Sequence, residues 1–381
     1  MRETLKQRVF RRLPTGLKPY VKLTYGGLTA PFDYPRKSNS FKFANSVLKT
    51  EQINYVPPVF IVTINSSCNL RCPNCFYVIK GGDHAFEGGN VISVDDLQTV
   101  MDKYAHYIET VWFTGGEPLA HPRLGDPAAI VKTKRLTLQV NTNGVFIERR
   151  NDVLKAFDFI NVSLDGYDHE SFARYRGGIP REFDRIVSGL SLLKKIEIAF
   201  SISFVLSEEN LGEVDEMLTF AHEISPPRVI FHNMNPHGSK GFTPLTLGSE
   251  KVRHMLNEMT AKRDYPFDID LPVIFDTESE RFRAAVCIQQ WNAAAFNDKG
   301  QLSYCCHMDH DPSIGNMFQG YDFNSEKMRM FRRQMMRHEY PEDDCLHCHR
   351  RFLNSDKFAR FDSRQRRWIG GEALGNGASI D

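Results

Sequence analysis

Short apolar runs alternate with helix-like stretches between residues 59 and 233, and this alternation is the strongest constraint on the fold. The intervening stretches carry apolar residues three and four positions apart, as in residues 183–194, a spacing typical of amphipathic helices. Strands that alternate with helices form a parallel sheet with crossover helices. The pattern therefore predicts an α/β fold, a partial (β/α)6 TIM-like barrel. Its six predicted strands are residues 59–65, 110–114, 136–141, 159–164, 197–205 and 228–233.

Residues suited to binding or catalysis follow the first four predicted strands. Functional groups in such barrels lie at the carboxyl ends of the strands, so we expect these residues to meet at one edge of the sheet. They are, in chain order, Cys68, Cys72 and Cys75, then Gly115, Gly116 and Glu117, then Asn143, and finally Ser163 and Asp165.

Cys68, Cys72 and Cys75 lie in the run CNLRCPNC, directly after the first predicted strand. Iron–sulfur clusters are normally held by four thiolates, and no fourth cysteine lies near this run. A 4Fe-4S cluster bound here would keep one iron open for another ligand. Zinc or structural cysteines are alternatives, although the run has no histidine and structural zinc takes four ligands. Eight cysteines in 381 residues do not indicate a disulfide framework.

Four segments together resemble the radical S-adenosylmethionine (SAM) superfamily. The resemblance implies that the three cysteines bind a 4Fe-4S cluster and that SAM chelates its open iron through the amino nitrogen and carboxylate. The reduced cluster would then cleave SAM to a 5′-deoxyadenosyl radical, which abstracts a hydrogen atom from the substrate. The segments are the CxxxCxxC run, TGGEP at 114–118, NTNG at 141–144 and SLDG at 163–166, within roughly residues 57–240.

The resemblance also assigns contacts with SAM. Gly115 and Gly116 allow the backbone to pass close to a ligand, and Glu117, or the backbone beside it, suits the SAM ammonium group. The other three residues can donate or accept hydrogen bonds to the ribose or carboxylate, although such residues beside glycine also form ordinary turns. They are Asn143, Ser163 and Asp165.

A second group of cysteines follows residue 280. Cys287, then Gly300 five positions before Cys305, resembles the start of the SPASM or Twitch auxiliary-cluster region of the same superfamily. The resemblance implies a second 4Fe-4S cluster. Zinc is the alternative, because a CxxC pair and His307, His310, His347 and His349 are nearby. The four predicted cluster ligands are Cys287, Cys305, Cys345 and Cys348.

Full thiolate ligation would suit the second cluster to electron transfer rather than to substrate chelation. The leading hypothesis is therefore a radical SAM oxidoreductase that passes an electron from the substrate radical to the auxiliary cluster. Cys306 is not needed as a ligand. It is a small buried residue, a replacement for Cys305, or a hydrogen donor to the substrate radical. The last role would make the enzyme a redox-neutral epimerase, and a peptide-modifying maturase or a non-catalytic electron carrier are further alternatives.

Composition limits the partners. A net charge of +1 gives no overall field for nucleic acid, and no apolar run is long enough to span a membrane. The first 16 residues lack the apolar core of a signal peptide, so a cytoplasmic location is expected. We expect a small-molecule or peptide substrate and an electron donor such as flavodoxin or ferredoxin. The basic run Arg174–Arg176 is a candidate for an anionic group or an ordinary surface loop.

The predicted organisation has five parts. A basic N-terminal extension covers residues 1–56, the radical SAM-like core covers 57–240, and a bridging segment covers 241–285. An auxiliary-cluster domain at 286–355 and a basic tail at 356–381 complete the chain. The basic ends are interpreted as solvated segments or as contacts with an acidic substrate, carrier or membrane surface.

Overall fold

The computed structural model describes residues 50–53, 55–81, 89–235, 241–246, 248–262, 264–272, 274, 287, 289–339, 345 and 360–369. Within them, six parallel strands lie side by side in chain order, which confirms the predicted partial barrel. The sheet remains open rather than closing on itself. Its strands are β1 (Val59–Asn65), β2 (Thr110–Gly115), β3 (Thr137–Thr142), β4 (Phe159–Ser163), β5 (Phe200–Leu206) and β6 (Arg228–Asn233).

Helices connect these strands and cover the outer face of the sheet. Ser93 caps the second helix, because its hydroxyl accepts a hydrogen bond from the Asp96 amide at 3.4 Å. The helices are α1 (Phe76–Gly81), α2 (Val94–Tyr104), α3 (Gly125–Thr133), α4 (His169–Arg176), α5 (Pro180–Lys195), α6 (Val214–Ile224), α7 (Glu250–Ala261), α8 (Gln289–Asn292) and α9 (Glu326–Met336).

The predicted fifth strand starts three residues too early. Ile196 caps α5, and its backbone N–H donates a hydrogen bond to the Leu192 carbonyl. Glu197 then adopts a left-handed conformation with φ of 58°. That turn separates the helix from β5, which begins at Phe200. The apolar residues of this turn resemble a strand in sequence, but the helix cap sets its conformation.

Alternate side chains give the sheet two different faces. Along β3, Leu138 and Val140 are buried on the outer, helix-covered face. Gln139 and Asn141 point to the inner face and line a cavity. Because the side-chain period of a strand is two, the sequence of β3 itself places apolar groups in the core and amides inside the barrel.

Short strands from the C-terminal part of the chain extend both edges of the sheet. Strand β8 (Ala293–Phe296) pairs in parallel with β1, with Val59 opposite Ala293, and β9 (Leu302–Ser303) returns antiparallel beside β8. At the other edge, β7 (Asp268–Asp270) pairs in parallel with β6. Strands β10 (Arg360–Asp362) and β11 (Arg367–Ile369) form an antiparallel hairpin beside β7.

The hairpin changes the description of the basic tail. Phe361 and Trp368 are buried, and the Trp368 indole donates to the Lys262 carbonyl at 3.0 Å. The described part of the predicted tail is therefore packed into the sheet, while Arg364, Arg366 and Arg367 remain exposed. No helix among the described residues is long and apolar enough to cross a membrane.

A buried arginine connects the start of the described chain to helix α9. The Arg332 guanidinium donates to the carbonyls of Glu51, at 2.8 Å, and Phe323, at 2.6 Å. The Trp291 indole also donates to the Thr50 carbonyl at 2.8 Å. These bonds attach the segment before β1 to the C-terminal part of the chain.

Candidate functional site

A cavity of about 470 Å³ opens on the inner face of the sheet, at the carboxyl ends of its strands. Its wall is composed mainly of amide, hydroxyl and aromatic side chains from β2 to β6, together with the loop after β1. Of the residues predicted from sequence for the first site, only Glu117 is absent from the lining. Those that line the cavity are Cys68, Cys72, Cys75, Gly115, Gly116, Asn143, Ser163 and Asp165.

The three cysteines of the first group lie on one short loop, which we call the cysteine loop (residues 66–75). The Cys75 amide donates to the Cys72 carbonyl at 3.0 Å, which closes a turn between them. Burial raises the pKa of the Cys68 thiol to about 11 and that of the Cys72 thiol to about 12. Without a bound metal both thiols would stay protonated at neutral pH, so cluster binding would release protons here.

Two N–H donors point toward the sulfur of Cys68. The Leu70 amide lies 3.4 Å from this sulfur, and the Asn143 side-chain amide lies 3.8 Å from it. Hydrogen bonds to ligand sulfurs tune the potential of an iron–sulfur cluster. The loop therefore has both the ligand set and the surrounding donors that fit a cluster with three protein thiolates.

The two glycines at the end of β2 are required by the close approach of the end of β1 and of the cysteine loop. A Cβ on Gly116 would lie 2.2 Å from the Ser67 carbonyl oxygen, and one on Gly115 would lie 2.2 Å from the Asn65 carbonyl oxygen. Gly115 also has φ of 142°, a region that favours glycine. These glycines were expected to let the backbone pass close to a ligand. In this structure they let it pass close to the backbone of Asn65 and Ser67.

Glu117 has a different position from the one expected for an ammonium acceptor. Its side chain is fully buried, and its carboxylate accepts from the Leu119 amide at 2.8 Å, the Thr142 hydroxyl at 2.7 Å and the Asn143 amide at 2.7 Å. Burial raises the pKa of this carboxyl, and these bonds oppose the rise. The carboxylate fixes the end of β3 rather than pointing into the cavity.

Asn143 connects the end of β3 to the cysteine loop. Its side-chain amide also donates to Asn69 Oδ1 at 2.9 Å, and its own Oδ1 accepts from the Val145 amide at 3.1 Å. Glu117 thus holds Asn143, and Asn143 holds the loop. This chain of contacts explains why three sequence motifs that are far apart occur at one place.

Asp165 and Arg176 form a buried ion pair in the cavity wall, with 2.9 Å between Asp165 Oδ2 and an Arg176 terminal nitrogen. Asp165 Oδ1 also accepts from the Val205 amide at 2.7 Å. Burial raises the pKa of Asp165, and the guanidinium opposes this. Arg176 lies in the last turn of α4, so the basic run 174–176 is not a loop. Ser163 lines the same wall from the end of β4.

Several buried polar atoms in the cavity wall have no hydrogen-bond partner within the described chain. They are Asn141 Oδ1, Arg176 Nε, and both Oδ1 and Nδ2 of Asn235. Buried polar groups are normally satisfied, so these atoms indicate a polar ligand that completes their bonding. Sequence reasoning did not select Asn141, which lies near the end of β3, or Asn235, which lies two residues after β6.

A smaller chamber of about 160 Å³ adjoins the main cavity. Five residues line both spaces, and Cys306 lines the smaller one. The chamber lies between the inner face of the sheet and the loop after β9, which carries Cys305 and Cys306. The shared residues are Phe76, Trp112, Thr114, Asn141 and His307.

The second cysteine group is described only in part. Cys305 is partly buried, and its sulfur accepts from the His307 amide at 3.4 Å. Cys287 and Cys345 are also partly buried, whereas Cys348, His347 and His349 lie outside the described residues. Among the described residues, no three His, Cys, Asp or Glu side chains converge on a site for a single metal ion.

Comparison with known proteins agrees with this geometry. Residues 62–221 match the model of the Radical SAM superfamily. The chain is 28% identical over 181 residues to Fe-coproporphyrin III synthase of Methanosarcina barkeri, covering 46% of this chain and 44% of that protein. It is 27% identical over 212 residues to a probable GTP 3′,8-cyclase of Methanosarcina mazei, covering 53% of this chain and 61% of that protein. The match thus spans less than two thirds of either relative.

The fold is also that of a solved structure. Streptococcus suis SuiB, in its crystal structure bound to precursor peptide SuiA, superposes with a TM-score of 0.61 at 13% identity. The superposition covers 90% of this chain and 84% of SuiB. At this level of identity the likeness concerns the fold alone.

Proposed function

This chain belongs to the radical SAM superfamily, and from that premise we propose that it is an enzyme that reductively cleaves SAM. Cys68, Cys72 and Cys75 would hold the 4Fe-4S cluster. The observation that carries the proposal is the convergence of these three thiols and several unpartnered polar atoms on one cavity. When bound, the cluster and SAM supply a 5′-deoxyadenosyl radical that removes a hydrogen atom from the substrate.

The residues of the cavity would bind and orient SAM. The Arg176 guanidinium, which keeps an unpartnered Nε beside its ion pair with Asp165, is suited to a carboxylate. Asn235, two residues after β6, presents an unpartnered amide donor and acceptor, which suits a group with both donor and acceptor atoms. Ser163 and Asn143 complete the polar wall. Glu117 acts through Asn143 by fixing the end of β3.

Anaerobic incubation with SAM and dithionite tests this function. The wild-type protein should form 5′-deoxyadenosine, and Cys72→Ala should abolish the product together with the iron of the first cluster. Cys306→Ala is the matched cysteine control and should retain SAM cleavage. Absence of 5′-deoxyadenosine from the iron-loaded wild-type protein would favour an electron carrier and overturn the proposal.

We further propose a second 4Fe-4S cluster held by Cys287, Cys305, Cys345 and Cys348. The placement of the Cys305 loop beside the cavity supports it, because an electron acceptor there would adjoin the substrate radical. We expect about eight irons per chain and about four in the triple Cys68→Ala, Cys72→Ala, Cys75→Ala variant. About four irons with bound zinc in the wild-type protein would contradict this assignment and favour the zinc alternative.

Oxidation of the substrate is the leading reaction, and redox-neutral epimerisation is the second candidate. The specific observation for epimerisation is that Cys306 lines the chamber next to the main cavity, where a thiol can return a hydrogen atom. Cys306→Ala separates the two reactions. If the thiol is a hydrogen donor, the variant should cleave SAM but release no epimerised product, whereas an oxidase should keep its turnover.

The substrate is either a small molecule or a peptide. SuiB, whose crystal structure contains its precursor peptide, shares the fold, and this motivates a peptide as one candidate. Uncharged amides and hydroxyls dominate the inner wall, as with Gln139, Asn161 and Ser203. This wall suits a substrate with several hydrogen-bonding groups and little charge, such as a peptide segment or a polyhydroxylated ring.

A further inference from the structure

Five side chains cover the inner face of the sheet away from the carboxyl ends of its strands, and we call them the lower wall. In the strand register, Gln139 lies opposite Trp112 on one side and Phe159 on the other, and Asn141 lies opposite Asn161. All five line the main cavity. Gln139 lies three residues before the end of β3, about 10 Å along the strand, whereas the cysteine loop contacts the residue just beyond that end. The lower wall therefore lies deeper in the barrel than this contact.

The amides of the lower wall have bonding capacity that the described chain does not use. Asn141 Oδ1 is buried and has no hydrogen-bond partner among the described residues. Asn161 is held in place, because the Ser201 hydroxyl donates to its Oδ1 at 2.7 Å and its Nδ2 donates to the Ser203 hydroxyl at 3.2 Å. An amide has two N–H donors and an oxygen that accepts twice, so these two bonds leave one donor and one acceptor site of Asn161. A ligand of this wall must donate at Asn141 and both donate and accept at Asn161.

The composition of the lower wall limits the charge of its ligand. None of its five side chains is acidic or basic. Among the described residues other than histidine, the charged side chains that line the cavity are Asp165 and Arg176, and they pair with each other at 2.9 Å. Phosphates and carboxylates are bound by cations and by sets of N–H donors, which this wall lacks. Trp112 and Phe159 instead offer apolar ring faces on both sides of Gln139.

The lower wall offers side chains but no strand edge. Strands β2, β3 and β4 each pair with a neighbour on both sides, so their backbone groups are engaged in the sheet. An extended peptide commonly binds by adding to a free edge, where main-chain hydrogen bonds supply the affinity. A hydroxylated ring needs no such edge, because each hydroxyl both donates and accepts and the C–H groups of the ring pack on aromatic faces.

We propose that the lower wall binds an uncharged polyhydroxylated ring, a sugar or a cyclitol, as the substrate of this site. The proposal rests on the proposed function and names the substrate class. Three neighbouring strands about 4.8 Å apart give the wall a width of about 10 Å, which fits one substituted six-membered ring. Gln139 and the two asparagines would bind hydroxyls at the edge of the ring, and Trp112 and Phe159 would pack against its carbon face.

Binding of uncharged probes to the anaerobic, iron-loaded protein with SAM tests the proposal. Saturation-transfer NMR titrations compare methyl α-D-glucopyranoside and myo-inositol with N-acetyl-L-serinamide, a neutral peptide probe. At least one of the two polyols should bind, and more tightly than the peptide probe. Gln139→Leu should raise the Kd of that polyol about tenfold, because the ligand loses the hydrogen bonds of one amide. Trp112→Leu, which removes an aromatic face, should raise the Kd as well.

A matched control carries the same change outside the cavity. Gln98→Leu removes an exposed amide of α2, whose Nε2 donates to Asp102 Oδ1 at 2.8 Å. This variant should bind the polyol with the wild-type Kd. Iron content and circular dichroism compare the folding of the variants, and Trp112→Leu provides the comparison if Gln139→Leu does not fold. Glucose 6-phosphate is the charged probe and should bind no more tightly than the methyl glucoside.

The outcomes separate the two proposals. Tighter binding of the peptide probe or of the phosphorylated sugar than of either polyol would overturn the assignment of the lower wall. So would equal Kd values for the folded lower-wall variant and the Gln98→Leu control, or a wild-type protein that binds neither polyol. A wild-type protein that forms no 5′-deoxyadenosine from SAM and dithionite would instead overturn the proposed function.

Discussion

The Glu117 carboxylate shows how one buried residue organises a site that it does not line. It accepts three hydrogen bonds from β3 and the turn after β2, and it has no exposure to solvent. Breaking the hydrogen bond between this carboxylate and the Asn143 amide would shift Asn143 and, through its side-chain amide, its contact with the Cys68 sulfur. Its contribution therefore lies in positioning.

We predict that Glu117→Gln lowers both stability and SAM cleavage. One carboxylate oxygen becomes an NH2 group that faces N–H donors, which leaves buried groups unsatisfied at about 1–3 kcal/mol. Urea unfolding and 5′-deoxyadenosine formation are the measurements. Glu223→Gln, on an exposed position of α6, is the matched control. Equal unfolding midpoints for the two variants would contradict the positioning role.

The residues of the site differed in how far sequence could identify them. Cys68, Cys72 and Cys75 were identifiable because their spacing alone fits a chemical task. Glu117 belongs to a recognisable motif, but its direction depends on bonds to residues 25 positions away. Asn141 and Asn235 are identified only by unpartnered atoms in a cavity, and no local pattern separates them from other asparagines at strand ends.

At the scale of elements, one carboxylate of β7 contributes to holding the hairpin of β10 and β11. Asp268 Oδ1 accepts from the Ser363 amide at 3.0 Å and from the Ser363 hydroxyl at 2.7 Å. Partial burial raises the pKa of Asp268, but these bonds and Arg228 outweigh it and keep the pKa below its ordinary value. A lowered pKa means that the ionised form is the one that stabilises the hairpin.

We predict that acid weakens this hairpin. Its stabilisation by Asp268 should be complete above the ordinary aspartate pKa of about 3.9 and should be lost as the pH falls through the lower folded value. At neutral pH, Asp268→Asn should open residues 360–369 more often, at a cost on the order of 1 kcal/mol. Hydrogen exchange of the hairpin measures this. A difference between wild type and variant that stays constant down to about pH 3 would refute the assignment.

The elements themselves were largely predictable. Five of the six predicted barrel strands begin within one residue of the observed ones, because period-two burial is visible along a short stretch. The hairpin and β8 were not predicted as strands. Strands of three or four residues have too short a pattern, and their pairing depends on partners far away in the chain.

For the whole molecule, Arg332 joins the C-terminal part of the described chain to the segment before β1. Burial lowers the pKa of its guanidinium to about 10, yet the group remains charged at neutral pH and donates to backbone carbonyls. The segment before β1, helix α8 and helix α9 therefore share one buried polar network. We expect the barrel and this network to unfold together.

We predict that Arg332→Met destabilises the molecule by about 3 kcal/mol or more, because several buried carbonyls lose their donor. Arg333→Met is the control on the same helix. Arg333 makes an exposed ion pair with Glu51 at 2.7 Å, and its loss should change the free energy of unfolding much less than the loss of Arg332, because exposed ion pairs contribute little to stability. Urea unfolding compares the two. Similar effects for both variants would mean that the buried network is not structurally important.

The pairing of β1 with β8 has a consequence for synthesis on the ribosome. Strand β1 is the first strand of the barrel to be made, and β2 can join it soon afterwards, but its other edge waits for Ala293–Phe296. At translation speeds of about 5–20 residues per second, roughly 230 further residues require on the order of ten to fifty seconds. During that time the nascent chain displays an apolar, unpaired strand edge of the kind that recruits other chains. The growing chain therefore exposes this strand edge for longer than it would if both neighbours of β1 were close to it in sequence.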